Sequence, residues 1–150
     1  MSLHDSGEID NALVQRLQND ATLMAMLPDG VHFDEGPQGL EHFALVSLVD
    51  AQIAWQMDVA QERRAAERCE YIVKAVMLNT SSANAREAAA RIDELLEDMP
   101  LTISGFACVE IYRLRRIRDT EVDSVDASIR WQHRGGYYRI TAAPNEGVTP

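Results

Sequence analysis

Apolar positions recur along this chain with two different periods, and each change of period marks an element. Ile9, Leu13, Val14 and Leu17 share one face at helical spacing, so Ile9–Leu17 predicts a helix. Asp20 suits the N-cap of a second short helix reaching Leu27, and Pro28-Asp29-Gly30 then stops it. Val31–Phe33 reads as a short strand before the turn-rich EGPQG. The run HFALVSLV, His42–Val49, is almost continuously apolar, as a strand buried on both faces would be. In Arg68–Leu78 the residues Tyr71, Val73, Ala75 and Met77 alternate with Glu70, Ile72, Lys74 and Val76, the period of a second strand.

A longer helix follows. Ser81, Ser82 and Asn84 each suit its N-cap, and Glu87 lies three residues after Asn84, a capping-box spacing. Ala85, Ala88, Ala89, Ile92, Leu95, Leu96 and Met99 then form one apolar stripe, giving a helix over about residues 82–98 that Pro100 ends. Glu94, Glu97 and Asp98 sit where the helix dipole disfavours anions by a few tenths of a kcal/mol each. The stripe outweighs them, because burying each large aliphatic side chain stabilises by roughly 1.5–3 kcal/mol. Alanines at the start of the stripe suit close approach to a sheet.

Phe106–Arg118 and Ala127–His133 read as two further strands joined by the acidic connector DTEVDSVD. Arg134-Gly135-Gly136 is a turn signal, and YYRITA adds a last short strand. The result is an α+β fold: a small, mostly antiparallel sheet of about four strands, carrying an N-terminal helix and one amphipathic helix. The expectation is a single domain over 1–150, with flexible ends at 1–8 and 144–150. Between the first two long strands, Asp50–Glu67 reads as a long, partly mobile hairpin excursion, with a start that could extend the first strand and a polar, helix-permissive end.

Charge changes the picture more than composition does. The net charge is −10, and phosphate neutralisation needs clustered cations, so a nucleic-acid grip is disfavoured. Residues 1–50 hold nine acids and only Arg16, net −8; residues 51–100 hold nine acids and six bases, net −3; residues 101–150 hold six acids and seven arginines, net +1. Such asymmetry favours electrostatic docking between copies or with partners. No apolar run approaches the roughly 20 residues of a membrane span, and the opening MSLHDSGEID does not read as a signal peptide. Cys69 and Cys108 read as core thiols; a disulfide between them requires their strands to be neighbours.

The search for chemistry returns little. His4, His32, His42 and His133 show none of the HxH, HxxxH or HExxH spacings, and CxxC, GxSxG, GxxxxGK[ST] and GxGxxG are absent. No catalytic residue, metal site or cofactor is expected. Asp34 and Glu35 beside His32 read as a surface turn, and the carboxylates of LLEDMP as a solvated helix end. Trp131 reads as core, whereas Trp55, in the excursion, is equally compatible with an interface. In IYRLRRIR, strict alternation puts Arg113 and Arg115 on one face and Arg116 and Arg118 on the other. Either these arginines pair with the acids of DTEVDSVD, or they form a contact with another subunit or partner. Arg113, Arg115, Arg116, Arg118, Trp55, Arg63 and Arg64 are the candidate interface residues.

Taken in order, ALVQRLQNDATLMAML, PDGVHFDEGPQG, HFALVSLV, AREAAARIDELLEDMPLTISG, FACVEIYRLRRIRD and SIRWQHRGGYYRITA resemble the tail-terminator (tail-completion) proteins of long-tailed bacteriophages and related gene transfer particles. The resemblance spans about residues 11–142. In that family a helix and a Pro-Leu-x-(Ile/Leu)-x-Gly segment, here Pro100–Gly105, precede a strand with arginine near its end. The resemblance implies a structural, non-enzymatic subunit that assembles as a hexameric ring on the head-proximal end of the tail tube. Such a ring stops tube polymerisation and presents a docking surface to the head connector (stopper). Its partners would be its own copies, the major tail tube protein and the connector, in host cytoplasm and then in the virion. DNA would pass through the channel without specific binding, which an acidic wall favours. The excursion at 50–67 is longer than the family leads one to expect. Two rivals stand beside this reading: another neck or minor tail component, and a small-molecule-binding α+β domain.

Overall fold

The computed structural model describes residues 7–57 and 62–145, with the backbone alone along 53–57 and 62–65. In chain order the elements are α1 (Gly7–Gln18), α2 (Ala21–Met26), β1 (Val31–Phe33), β2 (His42–Met57), β3 (Glu62–Leu78), α3 (Ser82–Leu96), β4 (Thr102–Ile103), β5 (Phe106–Val122) and β6 (Arg130–Pro144). The strands form one sheet in the order β1-β2-β3-β6-β5-β4. The β1–β2 pair is parallel, and the other pairs are antiparallel.

The period-2 pattern of β3 holds: Tyr71, Val73, Ala75 and Met77 are all buried on the side the helices cover. Ala44 and Val46 of β2, Tyr138, Ile140 and Ala142 of β6, and Ile111 of β5 share that core. From above it is closed by Ile9, Leu13 and Leu17 of α1, Leu23 of α2, and Ala85, Ala88, Ile92 and Leu96 of α3. The small alanines let the N-terminal half of α3 come close to the strands, as the stripe implied. On the sheet's other face, Phe43, Leu45, Ile72, Ile117 and Tyr137 are half-buried.

Two tyrosines on the covered face fix helices by donating to carboxylates. Tyr71 O–H donates to Asp10 of α1, and Tyr138 O–H to Asp93 of α3 at 2.8 Å. Burial first, and these hydrogen bonds second, push both phenols well above their ordinary range, so they stay protonated donors. Cys69, beside Tyr71, is pushed up to about 11, chiefly by burial and then by Glu67 and Asp10. Cys69 and Cys108 are free, since β6 lies between their strands.

Both ends of α3 are capped by side chains. Ser81 accepts from Asn84 N–H at 3.2 Å, so of the three candidate caps it is the serine before the helix that serves. At the other end Arg16 of α1 donates to the carbonyls of Leu95, Met99 and Pro100 at 3.0, 3.2 and 2.9 Å. The one arginine of the first fifty residues thus satisfies carbonyls at the C-terminus of α3, where a cation also complements the helix dipole. Arg16→Met is expected to cost about 1–2 kcal/mol, read as a lower urea midpoint at unchanged slope.

Several sequence expectations are corrected. There are six strands rather than about four among the described residues. Within Asp50–Glu67 the start extends the first strand as expected, and the polar, helix-permissive end is strand too: the β2–β3 ladder continues to Met57 opposite Glu62, with bulges near Val49 and Ala54. Since β6 pairs with β3 only from Glu67 onward, residues beyond it form a two-stranded arm. Residues 58–61 of the segment expected to be partly mobile lie outside the described residues, as do 1–6 and 146–150 of the ends expected to be flexible. Gly7 and Glu8 already belong to α1, and Pro144 closes β6.

The largest correction concerns Arg134-Gly135-Gly136, which is no turn but the middle of one unbroken strand. A Cβ on Gly135 would lie 2.1 Å from the Val73 carbonyl oxygen and 2.5 Å from Lys74 Cα. One on Gly136 would lie 2.8 Å from Arg113 Cδ. The glycines are there because neighbouring strands approach too closely for a side chain.

Candidate assembly interface

Short strands close the sheet at both edges and leave most of each edge open. On one side β1 pairs with Ala44–Val46, and Asp34 N–H reaches the Val46 carbonyl at 2.7 Å; Ser47–Met57 then has no outer backbone partner among the described residues. On the other side β4 pairs only with Phe106 and Ala107. Asp98 N–H bonds the Ile111 carbonyl at 3.0 Å, and Glu97 accepts from Arg113 N–H. Beyond Arg113, the outer edge of β5 is open to Val122 among the described residues. Long free edges of this kind are templates for pairing with another chain.

A bulge decides where the arginines of β5 go. Arg113 stands opposite Tyr138 and Arg115 opposite Tyr137, so Leu114 is an extra residue and the alternation changes phase. Arg113 therefore turns to the helix side and pairs with Asp93 at 3.2 Å. Arg115 lies on the opposite face, its guanidinium 4.0 Å from the centre of the Tyr137 ring. Arg116 and Arg118 are exposed and follow on beyond Arg115. Strict alternation had put Arg113 and Arg115 together; the bulge separates them. The remaining candidates are on the arm, where Trp55 stands opposite Arg64 and Gln56 opposite Arg63. Their side chains lie outside the described residues.

Among the described residues, the acids of DTEVDSVD form no ion pair with these arginines. Asp123 accepts from the N–H groups of Val125 and Asp126 at 2.8 and 2.9 Å. Asp126 accepts from Ser128, and Glu121 lies 3.1 Å from His133 Nε2. Those turn hydrogen bonds, led by Asp126 N–H for Asp123 and by the Ser128 hydroxyl for Asp126, hold both carboxyls below the usual range. Trp131, at the start of β6, is half-buried opposite Leu78 and Glu121.

The opposite edge is acidic. Asp34, in a left-handed conformation at φ +68°, and Glu35 form an exposed turn after β1, and Glu41 is exposed before β2. Asp29 accepts from the backbone of His42 and Glu41, and those bonds, His42's first, keep its carboxyl low. Register sets the heights: Phe33 stands opposite Val46, Val46 opposite Val73, Val73 opposite Gly136, and Gly136 opposite Arg116. Asp34 at one edge and Arg115–Arg116 at the other therefore occupy one level. The two edge bulges share that level too, each with exposed aliphatic groups: Leu48 at 41% and Val49 at 49%, against Leu114 at 40%.

Sequence reasoning missed Arg134 and Arg86. Arg134 faces Arg118 across the β5–β6 ladder, and its guanidinium is made less basic by burial, by Arg118 and by Arg86 of α3. An open depression of about 670 Å³ lies between α1 and the β4 segment, lined by Asn11, Gln15, Arg16 and Leu101–Ser104. Glu8 and Asp20 also line it; the guanidinium of Arg16 is already engaged by three carbonyls, and Asp20 by the Leu23 N–H and Arg91.

A profile of the family "Tail completion protein gp17" matches residues 11–133. Among solved structures, a chain from the virion of a native gene transfer agent (GTA) particle superposes with a TM-score of 0.65, at 22% identity, covering 95% of this chain and 99% of that one. A second solved chain, of a protein bearing no functional name, gives a TM-score of 0.54 at 14% identity over 98% and 99%. No curated protein matches.

Proposed function

The chain belongs to the tail-completion (gp17) family of structural tail proteins, and on that footing we propose that its copies join head to tail into a hexameric ring capping the tail tube. The ring ends tube polymerisation and offers its other surface to the head connector. The observation that carries this reading is that the two edges of the sheet are unlike. One edge of the sheet is open and basic, with Arg115, Arg116 and Arg118; the other is open along β2 and acidic at Asp34, Glu35 and Glu41; and Asp34 and Arg116 lie level. A two-fold dimer would set like edges against each other. Unlike edges meet only in a heterologous contact, which closes into a ring or runs on as a filament. The net charge of −10 suits a channel through which DNA slides.

Native mass spectrometry and negative-stain electron microscopy of the purified chain are expected to show rings that dissociate as salt is raised. Deleting the gene from its particle is expected to give overlong tail tubes. A chain that stays monomeric at high concentration and in tail extracts, or a deletion that leaves tube length unchanged, would defeat the proposal.

A further inference from the structure

On the helix side of the β5–β6 hairpin Arg134 lies within electrostatic reach of two further arginines, Arg118 and Arg86. Arg134 stands opposite Arg118 in the ladder, and Arg86 comes from early in α3, toward the positive end of its dipole. Among the described residues none of the three is ion-paired to a carboxylate, and Asp123 and Asp126 of the adjoining turn are engaged within it, by the N–H groups of Val125 and Asp126 and by Ser128. Arg134 Nε is buried with no hydrogen-bond partner. A buried donor left unmade is costly, and like charges nearby add to the cost. Folding alone does not explain such an arrangement, since a neutral side chain at 134 would remove the repulsion.

We infer that Arg86, Arg118 and Arg134 form a receptor for a carboxylate side chain of a second copy of this chain. The charge distribution favours that occupant: the first fifty residues carry −8, and the acids Asp34, Glu35 and Glu41 are exposed on the edge opposite the cluster. A guanidinium presents a planar fork of donors that matches a carboxylate, and pairing would satisfy Nε while screening the three cations from one another. The inference rests on the head-to-tail ring and adds to it a contact on the covered side of the sheet, separate from Arg115 on the other face.

The test separates folding from assembly by sign. Arg134→Met in the full chain is expected to raise the melting temperature of the dilute monomer by a few degrees, because repulsion and an unmade hydrogen bond disappear. The same substitution is expected to weaken self-association about tenfold or more in sedimentation velocity. Arg118→Gln is expected to act in the same direction, and Arg86→Gln as well. Wild-type rings with unaltered association in all three variants would overturn the receptor and leave the ring standing. A wild type that never associates would overturn the ring and, with it, the receptor. Binding of a short DNA duplex by wild type near physiological salt, lost in Arg134→Met, would overturn the carboxylate in favour of phosphate.

Discussion

Replacing Gly135 by valine is expected to leave most of the chain unfolded at physiological temperature. The glycine lies in the middle of β6, with Lys74 of β3 on one side and Ile117 of β5 on the other. A Cβ there would sit 2.1 Å from the Val73 carbonyl oxygen and 2.8 Å from Lys74 Cβ, and the first of these is backbone that cannot rotate away. Relief requires prising β3 from β6 at the centre of the sheet, which breaks ladder hydrogen bonds and loosens Val73 and Tyr138 in the core beneath. Few single substitutions cost more than 4 kcal/mol, and backbone collision in a central strand is among the mechanisms that do; Gly135→Ala is expected to cost at least about 3 kcal/mol and Gly135→Val more. Against a typical total of about 5–15 kcal/mol this is decisive. Gly39→Ala is the control: nothing lies within 4 Å of its Cβ position and only the φ of +90° is strained, so about 1–2 kcal/mol is expected. Urea titration followed by circular dichroism distinguishes them, and equal losses at the two sites would show that close approach is not what Gly135 provides.

That glycine pair also shows where the sequence misleads. Gly-Gly between two apolar runs is a hairpin signal, and nothing local separates it from a strand glycine required by a neighbour's backbone. The information lies in β3 and β5, far along the chain. The bulge at Leu114 is equally silent in sequence, yet one extra residue sends Arg113 to Asp93 and Arg115 to Tyr137. Faces could be read where alternation is uninterrupted, as in β3, and not where it changes phase. By contrast the α3 stripe and the α1 and α2 helices were legible, because their periodicity is local and their caps, Ser81 and Asp20, lie one residue before them. In the arm, Ala51, Ile53, Trp55 and Met57 alternate with Asp50, Gln52, Ala54 and Gln56, a signal for extending the first strand, whereas the polar residues that follow read as helix-permissive. Arg86 beside Arg134 was beyond reach, since it depends on how a helix crosses a hairpin about fifty residues away in sequence.

Asp20→Ala is expected to be the second most damaging of these changes, because one carboxylate serves two elements. Its Oδ2 accepts from Leu23 N–H at 2.8 Å and so caps α2, while Arg91 of α3 grips both oxygens, Nε at 2.9 Å and Nη2 at 2.6 Å. Only 14% of the aspartate side chain is exposed, so water does not replace those bonds well. Losing the cap costs about 1 kcal/mol, and with the charged clamp between α2 and α3 gone the total is expected to reach about 2–3 kcal/mol. Asp20→Asn keeps a good cap and loses the charge, so it is expected to fall between wild type and the alanine variant. The pH dependence follows from the same bonds. Arg91's hydrogen bonds, then the Leu23 N–H, lower the Asp20 pKa despite partial burial. A carboxyl whose folded pKa lies below its unfolded value of about 4 contributes stability that is fully present above that value and lost as pH falls through the folded pKa. The gap between wild type and Asp20→Asn in urea midpoint is therefore expected to be constant near neutrality and to narrow below about pH 4, where protonated aspartate and asparagine become alike. A gap that persists undiminished in acid would show that Asp20 acts through shape and capping and not through its charge on Arg91.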